Sequence, residues 1–149
     1  MGDNDRIPAL LALASNANYL QDAQHIAAKK LLEFDGENYP SDGCAITLSV
    51  LLQQAGITIP DTYRALALQD LLTDGRDWKA ISVGEQQGGD VGSTCGSEPG
   101  PGDHIYLVLK ALNPDEMVVA DNQSTQPHFR FASGNDGKTP TTRFLRAQG

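Results

Sequence analysis

The sequence is poor in residues that crosslink, ligate metals or carry positive charge. It has 2 cysteines and 3 histidines among 149 residues. Two cysteines do not make the disulfide framework of a small secreted domain, although the count allows one Cys44–Cys95 bridge. Cys44, Cys95 and the three histidines lack the close ligand pairs of a zinc site, so no metal or other cofactor is expected. Lysine and arginine total 11 against 19 aspartates and glutamates, a formal charge of −8. That balance argues against nucleic acid, whose phosphates call for clustered cations. It argues equally against docking on an anionic membrane surface. No apolar run approaches the ~20 residues of a membrane span. Ile7 to Ala14, "IPALLALA", has the apolar core of a secretory signal. Asp3 and Asp5 nevertheless outweigh Arg6 where a basic segment is needed. The stretch is read as a helix start with Pro8 in its first turn. The expectation is a chain without a signal peptide, either cytoplasmic or exported by a non-classical route.

What is present is the composition of an ordinary globular chain, with 40% hydrophobic and 20% charged residues. Its length suits one domain over residues 1–149, and no repeat or long linker divides it. The first half reads as helices and the second as strands, which predicts an α+β fold. Ala23, Ile26, Ala27, Leu31 and Phe34 share one helical face, with Asp22 as N-cap. Residues 34–43, "FDGENYPSDG", form a loop. A second helix follows, capped by Asp42 or Ser41. It carries Leu48, Leu51, Leu52 and Ala55 at helical spacing, Gly56 ends it, and Pro60 prevents its resumption. A third helix is expected from Asp61 to near Gly75, burying Leu68, Leu71 and Leu72. Strands are expected at Lys79–Val83, His104–Leu109, Met117–Asp121, His128–Phe131 and Thr142–Arg146. The turn "NPDE", residues 113–116, makes the second and third of these a hairpin. Residues 84–103 read as a glycine-rich loop without the GK[ST] ending of a phosphate-binding loop.

Cys44 is the residue on which function turns. With Asp42 as N-cap it stands at the second helical position, where free N–H groups and the helix dipole favour a thiolate. The same N–H groups can hold an oxyanion during acyl transfer. His104, at the start of a strand, is the candidate base. Asp121 or Asn122, at the far end of the returning strand, is the candidate group that orients it. Alternation puts Asp121 and Asn122 on opposite faces, and the register between them stays open. Asp121 is preferred because a carboxylate both orients and stabilises an imidazolium. The competing reading makes Cys44 a small buried core residue.

Three stretches carry a resemblance. "DGCAITLSVLLQQAGITIP", "WKAISVGEQQGGDV" and "PGPGDHIYLVLKALNPDEMVVADNQ" follow the order of helix-borne Cys, strand-borne His and a polar residue on the next strand. In that order the chain resembles the NlpC-type papain-like cell-wall peptidases, with the CHAP amidases and type VI secretion amidase effectors as relatives. The likeness covers about residues 35–123, and "GKTPTTRFLRA" is similar to the last strand of such domains. It implies a papain-like fold with the nucleophile helix on an antiparallel sheet. It further implies hydrolysis of amide bonds in peptidoglycan, with Cys44 as nucleophile, His104 as base and Asp121 or Asn122 as the third residue. Tyr39, Asp42 and Gly43 would then line the substrate groove, with an ordinary loop anchor as the other reading of Tyr39. Peptidoglycan or a muropeptide is the implied partner, and a cognate inhibitor or immunity protein is compatible with an effector. The chain departs from the family's common Asp-Cys-Ser-Gly, since Gly43 precedes Cys44 and Ala45-Ile46 follows it. The third position, often His in the family, is Asp121 or Asn122 here.

Other features have plainer readings. Asp35, Glu37, Asn38 and Asp42 crowd one loop, as calcium ligands do in some CHAP domains, but a solvated acidic loop is the simpler reading. His25 is read as solvated and Cys95 as incidental, and His128 as a strand-surface histidine that could also reach the active site. Trp78 is read as core, and Arg130, Arg143 and Arg146 as surface charge that could meet an acidic stem peptide. Two other functions stay open: a catalytically silent papain-like module that binds a wall fragment or a protein, and a cysteine acyltransferase on the same scaffold.

Overall fold

The computed structural model describes residues 2–35, 43–100, 102–135 and 137–149. Tyr39, Ser41, Asp42, Glu37 and Asn38 lie outside the described residues, and with them the expected cap and acidic loop; of the expected groove residues only Gly43 is described. The side chain of Asp35 does too. The chain is mixed α and β. Among the described residues, four α-helices precede a six-stranded, wholly antiparallel sheet. The helices are α1 (Ile7–Ser15), α2 (Ala17–Asp35), α3 (Cys44–Gln54) and α4 (Ala65–Asp70). The strands are β1 (Lys79–Ile81), β2 (Val91–Ser93), β3 (Ile105–Ala111), β4 (Glu116–Ala120), β5 (His128–Phe131) and β6 (Arg143–Arg146), in sheet order β1-β6-β2-β3-β4-β5.

α2 begins earlier than its apolar pattern suggests. Asn16, not Asp22, caps it, and its Oδ1 accepts from the N–H groups of Asn18 (2.9 Å) and Tyr19 (3.3 Å). These are the second and third residues of the helix, where free N–H groups need an acceptor. Leu20, Ala23, Ala27 and Leu31 point inward. Ile26 and Phe34, expected on that face, are exposed, and Phe34 instead stacks on Tyr63 with ring centroids 4.0 Å apart.

α3 is buried on all sides. Every residue from Cys44 to Leu52 is inside, beyond the single face that the leucine spacing predicts. A helix surrounded this way needs its polar groups satisfied. Ser49 meets that need by donating to the carbonyl of Ala45 (2.9 Å). Gly56, at φ 94°, ends the helix in the left-handed conformation that glycine adopts most easily. The next helix starts at Ala65 rather than Asp61, because Arg64 is still extended. Its last turn, Leu71–Gly75, widens into a π-turn.

The strand missed by sequence reading is β2, inside the glycine-rich stretch. It is fully buried between β6 and β3. Gly92 pairs with Tyr106, whose ring occupies the space a Cβ at position 92 would fill. Glycine here is a packing requirement, which hides the strand among residues that otherwise signal loop. Helices cover one sheet face, where Val91, Ile105, Leu107, Ala120 and Leu145 join the main core. Tyr106, Val108, Met117, Val119, Ala132 and Phe144 form a smaller core on the other face. Trp78 is buried as expected, and its Nε1–H donates to Asp3, which also pairs with Arg76 at 2.7 Å. No helix among the described residues is long and apolar enough to cross a membrane.

Candidate active site

Three elements meet at one end of the sheet. Cys44 is the first residue of α3, with Gly43 as N-cap, one position earlier than the expected second. The first helical hydrogen bond runs from the N–H of Thr47 to the carbonyl of Gly43 (2.9 Å). The N–H groups of Cys44, Ala45 and Ile46 therefore have no acceptor within the helix. Those of Ala45 and of Ile105, at the start of β3, point at the Cys44 sulfur. His104 immediately precedes β3. Its backbone is clamped by a reciprocal pair, His104 N–H to Thr94 Oγ1 (2.8 Å) and Thr94 N–H to the His104 carbonyl (3.0 Å). Its ring stacks on Tyr106 at 5.9 Å.

The β3–β4 register, Leu107 opposite Ala120, brings Asp121 back beside His104. His104 Nε2 lies 2.9 Å from Asp121 Oδ2. Asp121 Oδ1 takes two further donors, His128 Nε2 (2.8 Å) and the N–H of Gln123 (2.9 Å). The carboxylate is fully buried, with 9% of the His104 side chain and 18% of His128 exposed. Burial alone would raise the Asp121 pKa. The hydrogen bonds from His104 and His128 overcome that and hold it well below the ordinary carboxylate range. A carboxylate cannot donate, so His104 carries its proton on Nε2. In the neutral ring this leaves Nδ1 as a free base.

Cys44 departs from the expectation of a lowered pKa. It is 8% exposed, and burial pushes its thiol up to about 11, against the opposing pull of the Ile105 and Ala45 N–H groups. The resting group is a neutral thiol, and its proton must leave as the sulfur attacks. Cys44 and Cys95 are both free, so the Cys44–Cys95 bridge is not formed. Cys95 is buried, with its N–H bonded to Ser93 Oγ (3.1 Å).

Asn122 faces elsewhere. It lines a cavity of about 330 Å³ with Gln24, Ala28 and Leu31 of α2, and with Gly43 and Thr47 beside the nucleophile. Asn122 Oδ1 is buried without a hydrogen-bond partner among the described residues. Gln24 fixes the turn after β4 by donating to the carbonyls of Asp121 (2.8 Å) and Ser124 (2.7 Å). His25 is exposed, as expected, and borders the same cavity.

Two surface readings are corrected. His128 is a partner of Asp121, not a strand-surface histidine. Arg130 is 1% exposed, over the Tyr106 ring at 4.8 Å, with Nη2 donating to the Thr139 carbonyl (2.9 Å). Arg146 pairs with Asp90 (2.8 Å), which leaves Arg143 as the exposed one of the three arginines. Among the described residues no group of three or more His, Cys, Asp or Glu is placed to hold a metal ion. Comparison with protein-family models, with curated proteins and with solved structures finds no match to this chain.

Proposed function

We propose that this chain is a cysteine hydrolase of papain-like, NlpC-type build that cleaves amide bonds in peptidoglycan. The observation that carries the chemistry is the His104–Asp121 contact of 2.9 Å, set beside a cysteine at the N-terminus of a buried helix. The substrate class rests on the resemblance of residues 35–123 to the cell-wall enzymes.

In the reaction, Nδ1 of His104 takes the Cys44 proton as the sulfur bonds to the amide carbon. Asp121 stabilises the imidazolium that forms. The N–H of Cys44, which has no acceptor within the helix, receives the developing oxyanion. The carbon–nitrogen bond then breaks, and His104 returns its proton to the leaving amine. Water, activated by the same ring, hydrolyses the thioester. A nucleophile buried as a neutral thiol fits this order, because proton transfer and attack proceed together. The cavity beside Gly43 and Asn122 gives room for the group next to the scissile bond.

The same burial favours a second reading, a silent binding module in which Cys44 is packing. Digestion of purified peptidoglycan by wild type and Cys44→Ala, read by mass spectrometry, separates the two. New fragments from wild type alone support the hydrolase, and their masses identify the bond. Equal digests from both proteins, or none from either, would sink it.

A further inference from the structure

The Asp121 carboxylate serves two imidazoles, and the reaction above uses one. We propose that His128 is a positioning residue for Cys44–His104 chemistry: it holds one oxygen of Asp121 so that the other faces His104. The inference rests on the hydrolase reading and adds a residue to it.

The geometry is specific. Four consecutive pairs from Glu116↔Phe131 to Val119↔His128 set the β4–β5 register. His128 therefore stands opposite Val119, two residues before Asp121. A slip of one residue would turn its ring to the other face of the sheet. Among the described residues, Oδ1 of Asp121 has two donors, His128 Nε2 and the Gln123 N–H, whereas Oδ2 has His104 Nε2 alone. Both rings must carry their proton on Nε2, since the acceptor is a carboxylate. Without His128, Oδ1 keeps only the Gln123 N–H. A fully buried carboxylate short of a donor is costly to leave ionised. It can turn towards other donors or take up a proton, and either change frees the His104 ring. His104 would then lose both its fixed tautomer and the ring orientation that its bond to Asp121 sets.

A purely structural role is the rival explanation, with His128 merely pinning β5 to the turn that follows β4. Two substitutions separate the roles. Gln places an N–H near the position of His Nε2 but does not titrate, and Leu fills similar space without a donor. Rates on soluble muropeptides and histidine tautomers by ¹H–¹⁵N NMR are the readouts. His128→Leu should lower kcat by about 10- to 100-fold, the scale of a misplaced catalytic group, with KM changed less than about twofold. His128→Gln should restore kcat to within about threefold of wild type. In the wild-type spectrum both His104 and His128 should be protonated on Nε2.

A His128→Leu enzyme as fast as wild type overturns the proposal. So does His128→Gln as slow as His128→Leu, which would mean that an N–H donated to Asp121 is not what His128 supplies. So does a His128 ring protonated only on Nδ1, a result that decides the matter even if the Leu variant does not fold. Wild type inert on muropeptides would remove the hydrolase reading itself, a failure distinct from these because it precedes any substitution at His128.

Discussion

Asp121→Asn is the perturbation whose outcome follows most closely from the geometry. Asparagine keeps the shape of aspartate but replaces one acceptor oxygen with a donor. Among the described residues, Oδ1 of Asp121 is held by two donors and Oδ2 by one. The amide carbonyl should therefore take the Oδ1 place, bonded to Gln123 and His128, and the NH2 should take the Oδ2 place opposite His104. His104 Nε2 must then accept, which moves the ring proton to Nδ1. Nδ1 is the atom that should receive the Cys44 proton, so the base is lost. A triad locked in the wrong tautomer loses about 10³- to 10⁴-fold in kcat, or roughly 4–5.5 kcal/mol at 1.36 kcal/mol per decade. Turnover of soluble muropeptides measures the rate, and ¹⁵N shifts of His104 report the tautomer. Activity within tenfold of wild type, with His104 still protonated on Nε2, would refute the reasoning and return Asn122 to consideration as the third residue.

Three further outcomes are expected. Because burial pushes the Cys44 thiol up to about 11, its alkylation by iodoacetamide in the free protein should climb steadily with pH towards that value; a plateau reached by pH 8 would contradict a buried neutral thiol. Asp121 has a folded-state pKa below its unfolded value, so its contribution to stability is complete above the ordinary carboxylate value of 3.8 and is lost as pH falls from there towards the folded pKa. Chemical denaturation across that window should show a loss that is smaller in Asp121→Asn than in wild type. Ala28→Phe should fill part of the cavity that Gly43 also lines, raising KM by about tenfold, the effect of losing a pocket's room for one small group, with kcat at saturation nearly kept; an unchanged KM would place the substrate elsewhere.

How far the sequence could be read depended on whether each feature is local. α3 was legible because Leu48, Leu51, Leu52 and Ala55 repeat at the helical period and Gly56 with Pro60 closes the run. The pairing of His104 with Asp121 was legible because one short turn, residues 113–116, fixes where the hairpin returns. β2 was hidden because it is three residues long and its central glycine answers to the Tyr106 ring, a contact 14 residues away in sequence. The role of His128 depends on the β4–β5 register, and the burial of Arg130 depends on the second core, and neither leaves a periodic trace. The direction of the Cys44 shift was misjudged for a related reason. A helix N-terminus lowers a thiol pKa by an amount the sequence suggests, whereas the opposing effect of burial depends on everything packed around it. Asn16 displaced Asp22 as the cap of α2 because the turn containing an N-cap can precede the first recognisable apolar position by several residues.

The most direct test of the central claim is to catch the thioester. Wild-type protein would be mixed with soluble muropeptides, quenched in acid within the first turnovers, and the peptide carrying Cys44 weighed by mass spectrometry. The account predicts an added acyl mass on Cys44, matching the fragment that remains after amine release and absent from Cys95. Muropeptide cleavage with Cys44 never acylated, and equal cleavage by Cys44→Ala, would contradict it.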